Sequence, residues 1–536
     1  MSARNAIVPL LSVSILLFLA GCGGGGSHSS TPPPTGGFTK ANFNGTYVVS
    51  FSGTDITPTS SSSGSFFAVA GTLTANGSGG LTGTLDINDP ELAVATGANT
   101  SVATSVATSG SYSVSSDGRG SGTITVTFNG TKIPMGIDFV LSSSSGGLIT
   151  RFDKYGTGSG TLDLQTSGVT QASLVGSYSV GLNGIDTNTG DSLGLVGSIT
   201  LAGSGAATGT EDMNDNGTSI NLTNLALTTP SAVTVGSPGT ANLTANAGSL
   251  ASLSFDVWVI DATHFKLIET DSTAYLAGDA FVSTGNTAFP SGNLAYTMSD
   301  EDASAGGLLV GGGVLTSDGT STITAGLEDI NAGGTPGSAP SVTGTFTSVG
   351  GRTQLNLAGI YTIVGGSVGS GTFGFAAYPY NGGIFLLEDD SDGSGNGALV
   401  GTAYAQSATS LTASSGYGLN LSGVDESSSG SSEVDMIAEF STDTGGDVSG
   451  LYDVNNEGLL ISGYSLGNGA TYTNNSNGRG TIAFPNLETN SSNSFVSSIG
   501  LTYYAVNSST AIFIENDSTG QVATGIIELQ SSTSGG

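Results

Sequence analysis

From about residue 42 to the end of the chain, apolar residues alternate with small or polar ones in short runs. That is the two-residue period of a strand with one face buried. Tyr47, Val49 and Phe51 mark one such run, and Tyr178, Val180 and Leu182 another. Turn signals separate the runs: Asn76-Gly77, Asp117-Gly118, Asp318-Gly319 and Asn477-Gly478. Asn-Gly and Asp-Gly tolerate the positive backbone angles of two-residue hairpins. No helical periodicity of useful length follows the N-terminal segment, so the pattern predicts an all-β chain.

The pattern is also repeated, in four blocks that recur in the same order. The first is a strand followed by an acid: Tyr47 to Phe51 with Asp55, Tyr178 to Leu182 with Asp186, Leu294 to Met298 with Asp302, and Tyr417 to Leu421 with Asp425. The second reads GTLTANGSGGLTGTLDIND from Gly71, GSITLAGSGAATGTEDMND from Gly197 and AEFSTDTGGDVSGLYDVNN from Ala438, with a version carrying one insertion near Val314 to Asn331. It ends in Asp-x-Asn each time: Asp86/Asn88, Asp212/Asn214, Asp329/Asn331 and Asp453/Asn455. The third is a Gly-rich hairpin beginning at Gly110, Gly239, Gly344 and Ala470. The fourth centres on Arg151-Phe-Asp153, Glu269-Thr-Asp271, Glu388-Asp-Asp390 and Glu515-Asn-Asp517. A spacing of about 120 residues is that of a small domain, too long for a solenoid rung.

Each unit holds about eight strand-like runs joined by tight turns, which predicts a meander closed into a barrel filled by side chains. A two-sheet sandwich is the alternative, although it calls for longer crossing connections than are found here. The expected organisation is a signal peptide over 1–21, a lipidated cysteine and flexible tether over 22–41, and β-repeats over 42–168, 172–286, 289–407 and 412–534. The connections near Gln165 to Gln171, Ser283 to Gly292 and Gln406 to Ser415 are short. Few contacts are expected to cross them, so each repeat is expected to fold by itself.

The N-terminus changes the picture from domain to envelope. Arg4 precedes an apolar stretch, Ala6 to Leu19, broken by Pro9, Ser12 and Ser14 and too short to span a bilayer comfortably. Leu19-Ala20-Gly21-Cys22 follows, and resembles the lipobox of bacterial lipoproteins. That resemblance implies acylation of Cys22, and Gly23 after it, in place of an Asp, implies the outer membrane. Cys22 is the only cysteine, so it has no partner for an internal disulfide. A Gly/Ser run and Thr31-Pro32-Pro33-Pro34 then read as a tether. The chain carries 9 Lys+Arg against 41 Asp+Glu, a net charge of −32. That balance argues against nucleic acid, whose binding rests on cationic contacts to phosphate. It also leaves the lipid as the membrane contact. The whole resembles the Gly-rich β-repeat lipoproteins of environmental bacteria, a group that implies an architecture and no activity.

Catalytic chemistry finds little footing. Gly365 to Gly369 and Gly463 to Gly467 match Gly-x-Ser-x-Gly, but the two histidines, His28 and His264, both precede the serines, against the order of that hydrolase motif. Gly369-Ser-Gly371-Thr-Phe-Gly374 matches a dinucleotide fingerprint without its βαβ setting. The acidic turns are stronger candidates. Asp212, Asn214 and Asn216 before Gly217, and Asp453, Asn455 and Glu457 before Gly458, resemble the opening of a calcium loop; a second cluster, Glu388 to Gly393 with Asp390 and Asp392, offers several oxygens close together. The loop's bidentate Glu is absent, since Thr223 and Tyr464 stand there. Structural turn capping is the competing reading. Arg119 and Arg479, in equivalent Gly-Arg-Gly turns, receive no role. The expected function is non-enzymatic: a lipid-anchored outer-membrane protein acting as a repetitive structural, spacer or adhesive rod, without required cofactor and with calcium as the candidate ion. The alternative is a set of barrels that each hold a small ligand or glycan. An interior packed with Tyr, Phe, Leu and Val favours the first, and an interior clear of large side chains the second.

Overall fold

In a computed structural model the described residues are 37–531, apart from 56–64, 91, 93–99, 188–189, 191, 216–219, 229, 246–251, 272, 284–287, 303–306, 340, 365–366, 390–397, 427–431 and 489–496. The first repeat is an eight-stranded antiparallel meander: β1 (Asn44–Asp55), β2 (Ser65–Asn76), β3 (Gly80–Asn88), β4 (Val102–Val114), β5 (Arg119–Phe128), β6 (Thr131–Ser143), β7 (Gly146–Asp153) and β8 (Gly156–Leu164). It closes because β1 pairs with β2 on one edge (Tyr47 opposite Leu73) and with β8 on the other (Tyr47 opposite Leu164). Alternation does what the pattern requires. Tyr47, Val49 and Phe51 turn inward against Phe67, Val69 and Leu73, and all six are buried.

The other sheets run over 176–283, 291–405 and 416–529, inside the expected repeat bounds. In each, the first strand pairs with the last: Tyr178 with Val282, Leu294 with Ala405 and Tyr417 with Leu529. The barrel of repeat 3 closes where Gly307–Asp318 pairs with Thr322–Ala332. Repeats 2, 3 and 4 are nine-stranded because the counterpart of β4 is split, into Ile220–Ala226 and Ala232–Thr234, into Thr335–Ala339 and Thr343–Val349, and into Leu459–Ser465 and Thr471–Asn474. The breaks in repeats 2 and 4 have local causes. Pro230 has no N–H to give a ladder, and Gly467 and Gly469 take φ of +87° and +82°. Single bridges, Ala206 to Ala232 and Asp447 to Thr471, carry the sheet past each break. Barrels, not sandwiches, are therefore the architecture.

The expectation of sparse contact between repeats is corrected. β2 packs on the strands Ser252–Val259, His264–Glu269 and Ala274–Ser283 of repeat 2; repeat 2 packs in the same way on repeat 3, and repeat 3 on repeat 4. Strands Gly416–Asp425, Ser432–Thr442 and Val448–Asn456 of repeat 4 then return to β6, β7 and β8. The first three strands of each barrel always meet the last three of the next. Four such junctions close a ring, where a rod was expected. Besides one apolar core per barrel, apolar clusters sit between barrels: Trp258 and Ile268 with Val48 and Ala70, Tyr378 and Leu387 with Val196, Tyr504 and Ile512 with Ala295.

Candidate functional site

The Asp-x-Asn block lies at the end of the third strand of each barrel, and its position in the ring explains its recurrence. At Asp86, Asp212 and Asp453 the pairing with the following strand slips by one residue, a β-bulge. The carboxylate secures its own bulge. Asp86 Oδ1 accepts the amide of Ser105 at 2.6 Å, Asp212 Oδ1 that of Asn224 at 2.8 Å and Asp453 Oδ1 that of Gly463 at 2.6 Å. The three donors all have left-handed backbones, with φ of 54°, 55° and 73°.

The same side chains then clamp the next barrel. Asp86 Oδ2 accepts from Trp258 Nε1 at 2.6 Å. Asp212 takes Arg352 Nε on both oxygens (3.0 and 2.9 Å) and the hydroxyl of Tyr378. Asp329 takes Arg479 Nε at 2.7 Å, Arg479 Nη2 at 2.8 Å and Tyr504 Oη at 2.8 Å. Asp453 takes Arg119 Nη1 at 2.7 Å, across the closing junction. Trp258, Tyr378, Tyr504 and Val140 occupy one position, three residues after the partner of Glu269, Glu388, Glu515 or Arg151. Val140 has no donor to offer, and there Asp453 binds Ser462 Oγ of its own barrel at 2.6 Å instead.

The Asn of each pair reaches the fourth block of the next barrel through its amide nitrogen. Asn88 Nδ2 donates to the carbonyls of Glu269 (3.1 Å) and Ala274 (3.2 Å), and Asn214 Nδ2 to that of Glu388 (2.9 Å). Asn331 Nδ2 reaches those of Glu515 (3.2 Å) and Gln521 (2.8 Å). Asn455 Nδ2 reaches those of Arg151 (3.2 Å), Asp153 (3.0 Å) and Gly156 (2.7 Å). A glutamine after the last strand adds a latch. Gln165 Nε2 donates to Val259 O at 2.7 Å, Gln406 Nε2 to Ala505 O at 2.7 Å, and Gln530 Nε2 to Leu141 O at 3.1 Å. The three acceptors each follow the Trp258-type position by one residue. The C-terminal latch therefore treats the first barrel as the next one.

Four of the calcium candidates, Asp212, Asn214, Asp453 and Asn455, lie in these junctions. Both oxygens of Asp212 and of Asp453 are engaged by a guanidinium and by protein donors, and Asn214 and Asn455 point amide nitrogen, a donor, across the junction. Asn455 Oδ1 accepts the amide of Gly458 at 2.8 Å, which is turn capping. Glu457 is exposed on that turn, with φ of 45°. Asn216, Asp390 and Asp392 lie outside the described residues. Among the described residues, no group of three or more His, Asp or Glu is placed to hold a metal ion. Arg119 and Arg479, with Arg352, are clamp cations. The signal for this in the sequence was a Gly-Arg pair at one place in three of the four repeats.

The last strands meet around the inner edge of the ring. Lys266 Nζ lies 2.8 Å from Asp279 and 3.7 Å from Asp163 of the first barrel, and His264 Nε2 lies 2.7 Å from the same Asp279 oxygen. Burial, reinforced by Asp279 and by Glu528 of the fourth barrel, pushes the Tyr404 hydroxyl up to about 12. Glu528 is raised too, by burial and by Asp163. Residues of all four barrels thus feel one another in cyclic order.

Burial first, then Asp256, pushes the Asp86 carboxyl up to about 7. Trp258, which donates to it, is the only tryptophan in the chain. Its fluorescence should therefore titrate near neutral pH, with the charged acceptor present above the transition and lost below it. In Asp86→Asn the same titration should be flat. A wild-type emission that does not change between pH 5 and 9 would contradict the pairing.

No family model matches the sequence, and no curated protein matches it. Among solved structures, a single mutant of the vaccine antigen transferrin binding protein B from Haemophilus parasuis Hp5 is 11% identical, over 72% of this chain and 86% of that one, with a TM-score of 0.20. Isotype 1 transferrin binding protein B from serogroup B Neisseria meningitidis is 7% identical, over 69% and 76%, with a TM-score of 0.19. The architecture described above rests on this chain's own strand pairings, not on these scores.

Proposed function

We propose that the chain is a non-enzymatic, lipid-anchored protein of the outer membrane whose folded part is a structural or adhesive ring. Support comes first from the barrel interiors. Each is filled by its own large side chains, such as Tyr417, Phe440, Tyr452 and Phe513 in repeat 4, all buried. Filled interiors favour a scaffold over barrels that hold a small ligand. The polar residues that recur in every repeat are used between barrels, so the repetition serves assembly. A partner, whether glycan or protein, would then bind outside the barrels, on the surface that the assembled ring presents.

The anchor is tested directly. Cys22→Ala should give an unprocessed or soluble product, because one acyl-bearing residue is the only membrane attachment in this reading. Phase separation in detergent reads the outcome: wild-type protein should enter the detergent phase and the variant the aqueous phase. A variant that still partitions like wild type refutes lipid anchoring.

A further inference from the structure

Three of the four junctions are backed by a covalent linker. The junction between repeats 4 and 1 has no linker: it is held by side chains and by a backbone hydrogen bond from Ser531 N–H to Ser142 O at 2.7 Å. Its apolar cluster is small: Val140, Leu148 and Ile437, with Ile526 at the edge. The junction between repeats 1 and 2 instead buries Trp258, Val48, Ile260, Ile268 and three alanines.

Its polar content is acidic. In one cluster Arg119 of β5 lies 3.2 Å from Asp117 and 2.7 Å from Asp453, with Asp138 of β6 and Glu439 of repeat 4 beside them. Asp117, Asp138, Glu439 and Asp453 are all buried, and Arg119 is the only cation among them. A second cluster lies at the other end of the same junction. There Arg151 pairs with Asp55 and Asp153, Asp89 lies close by, and Glu433 and Asp435 face it from repeat 4. At the inner edge Glu528 faces Asp163. Buried carboxylates in this excess over guanidinium cannot all be ionised while the junction stays closed, because an unpaired buried charge is strongly disfavoured.

We propose that the contact between repeats 4 and 1 is a proton-held latch: the ring is closed while its surplus carboxyls keep their protons, and it opens into an arc when they lose them. Burial first, then Asp453, pushes Asp138 up to about 8; burial first, then Asp117, pushes Glu439 up to about 8. Both are raised above their unfolded values, so their contribution to closure is complete below about pH 4 and is lost as pH rises through about 8. The linker-backed junctions are expected to outlast this one, since opening them separates barrels that remain tethered at high effective concentration.

Hydrogen exchange on the full lipidated chain in detergent tests the latch, with protection corrected for the intrinsic pH dependence of exchange. Between pH 7 and 9.5, protection in 131–153 and 432–456 should fall at least tenfold. Segments 307–318 and 499–515, at the junction of repeats 3 and 4, should keep theirs, and the β-type circular dichroism should persist. The double variant Asp138→Asn/Glu439→Gln should hold its protection to higher pH by a unit or more, and Glu439→Gln alone should shift the loss part of the way. Constant protection in the wild type overturns the proposal. So does loss at both junctions together, or a loss that neither variant moves.

Discussion

Replacing Asp329 by Ala should cost about 3–5 kcal/mol, the range for removing one partner of a buried ion pair. Its side chain is fully buried and accepts three hydrogen bonds from the next barrel, two from Arg479 and one from Tyr504. Deletion leaves the buried Tyr504 hydroxyl without this acceptor and the partly exposed Arg479 guanidinium without its carboxylate. The loss should therefore exceed the net value of the bonds themselves, which is about 0.5–1.5 kcal/mol for a neutral bond and more when one partner is charged. Chemical denaturation followed at repeats 3 and 4 reads it. Adding Tyr504→Phe and Arg479→Met to Asp329→Ala should recover part of the loss, because the orphaned groups go with it. A single variant within about 0.5 kcal/mol of wild type would place Asp329 among ordinary surface positions and remove the clamp from the account of the ring.

Much of the fold was legible because barrels are written locally. The two-residue period gives each strand and its inward face, and the turn residues give the meander, so about eight strands per repeat follow without reference to anything distant; the split that makes nine in repeats 2 to 4 does not. The ring was not legible, because its determinants are pairs separated by most of the chain: Asp453 with Arg119, Asn455 with Gly156, Gln530 with Leu141. A recurring Asp-x-Asn before a Gly also carries two meanings in sequence. Oxygen ligands at alternate positions suit calcium, and the same spacing on a bulged strand puts carboxylate and amide on the outside of a barrel, where another barrel can receive them. What could have separated the two readings was the matching recurrence of Arg119, Arg352 and Arg479, which a calcium site has no use for. Val140 at the Trp258 position and Arg151 at the Glu269 position are departures within the first repeat, and both fall at the closing junction.

That junction also sets the result that distinguishes a ring from a rod most sharply. In a chain ending at Ser407, hydrogen exchange should accelerate in β6, β7 and β8 of the first repeat, at the opposite end of the sequence from the deletion. In a rod, repeat 1 would not sense the loss of repeat 4. In the ring, deletion uncovers Val140 and Leu148, which pack on Ile437, and leaves the carbonyls of Arg151, Asp153 and Gly156 without Asn455. Arg119 loses Asp453 as well, although Asp117 remains at 3.2 Å. Strands whose outer face is stripped of its neighbour open locally more often. A tenfold faster exchange corresponds to about 1.4 kcal/mol of lost local stability, and the number of contacts removed makes tenfold the minimum expected over 136–160. The second effect falls on repeat 3, where Ala295, Val314 and Val310 lose their cover and Asp329 its cation. Among the described residues, no strand of repeat 2 packs closely on repeat 4. Repeat 2 strands Gly176–Asp186 and Ser192–Leu201 should exchange as before and serve as the internal reference. Equal acceleration in all three remaining repeats would mean general destabilisation; none in repeat 1 would mean that the ring does not close in solution.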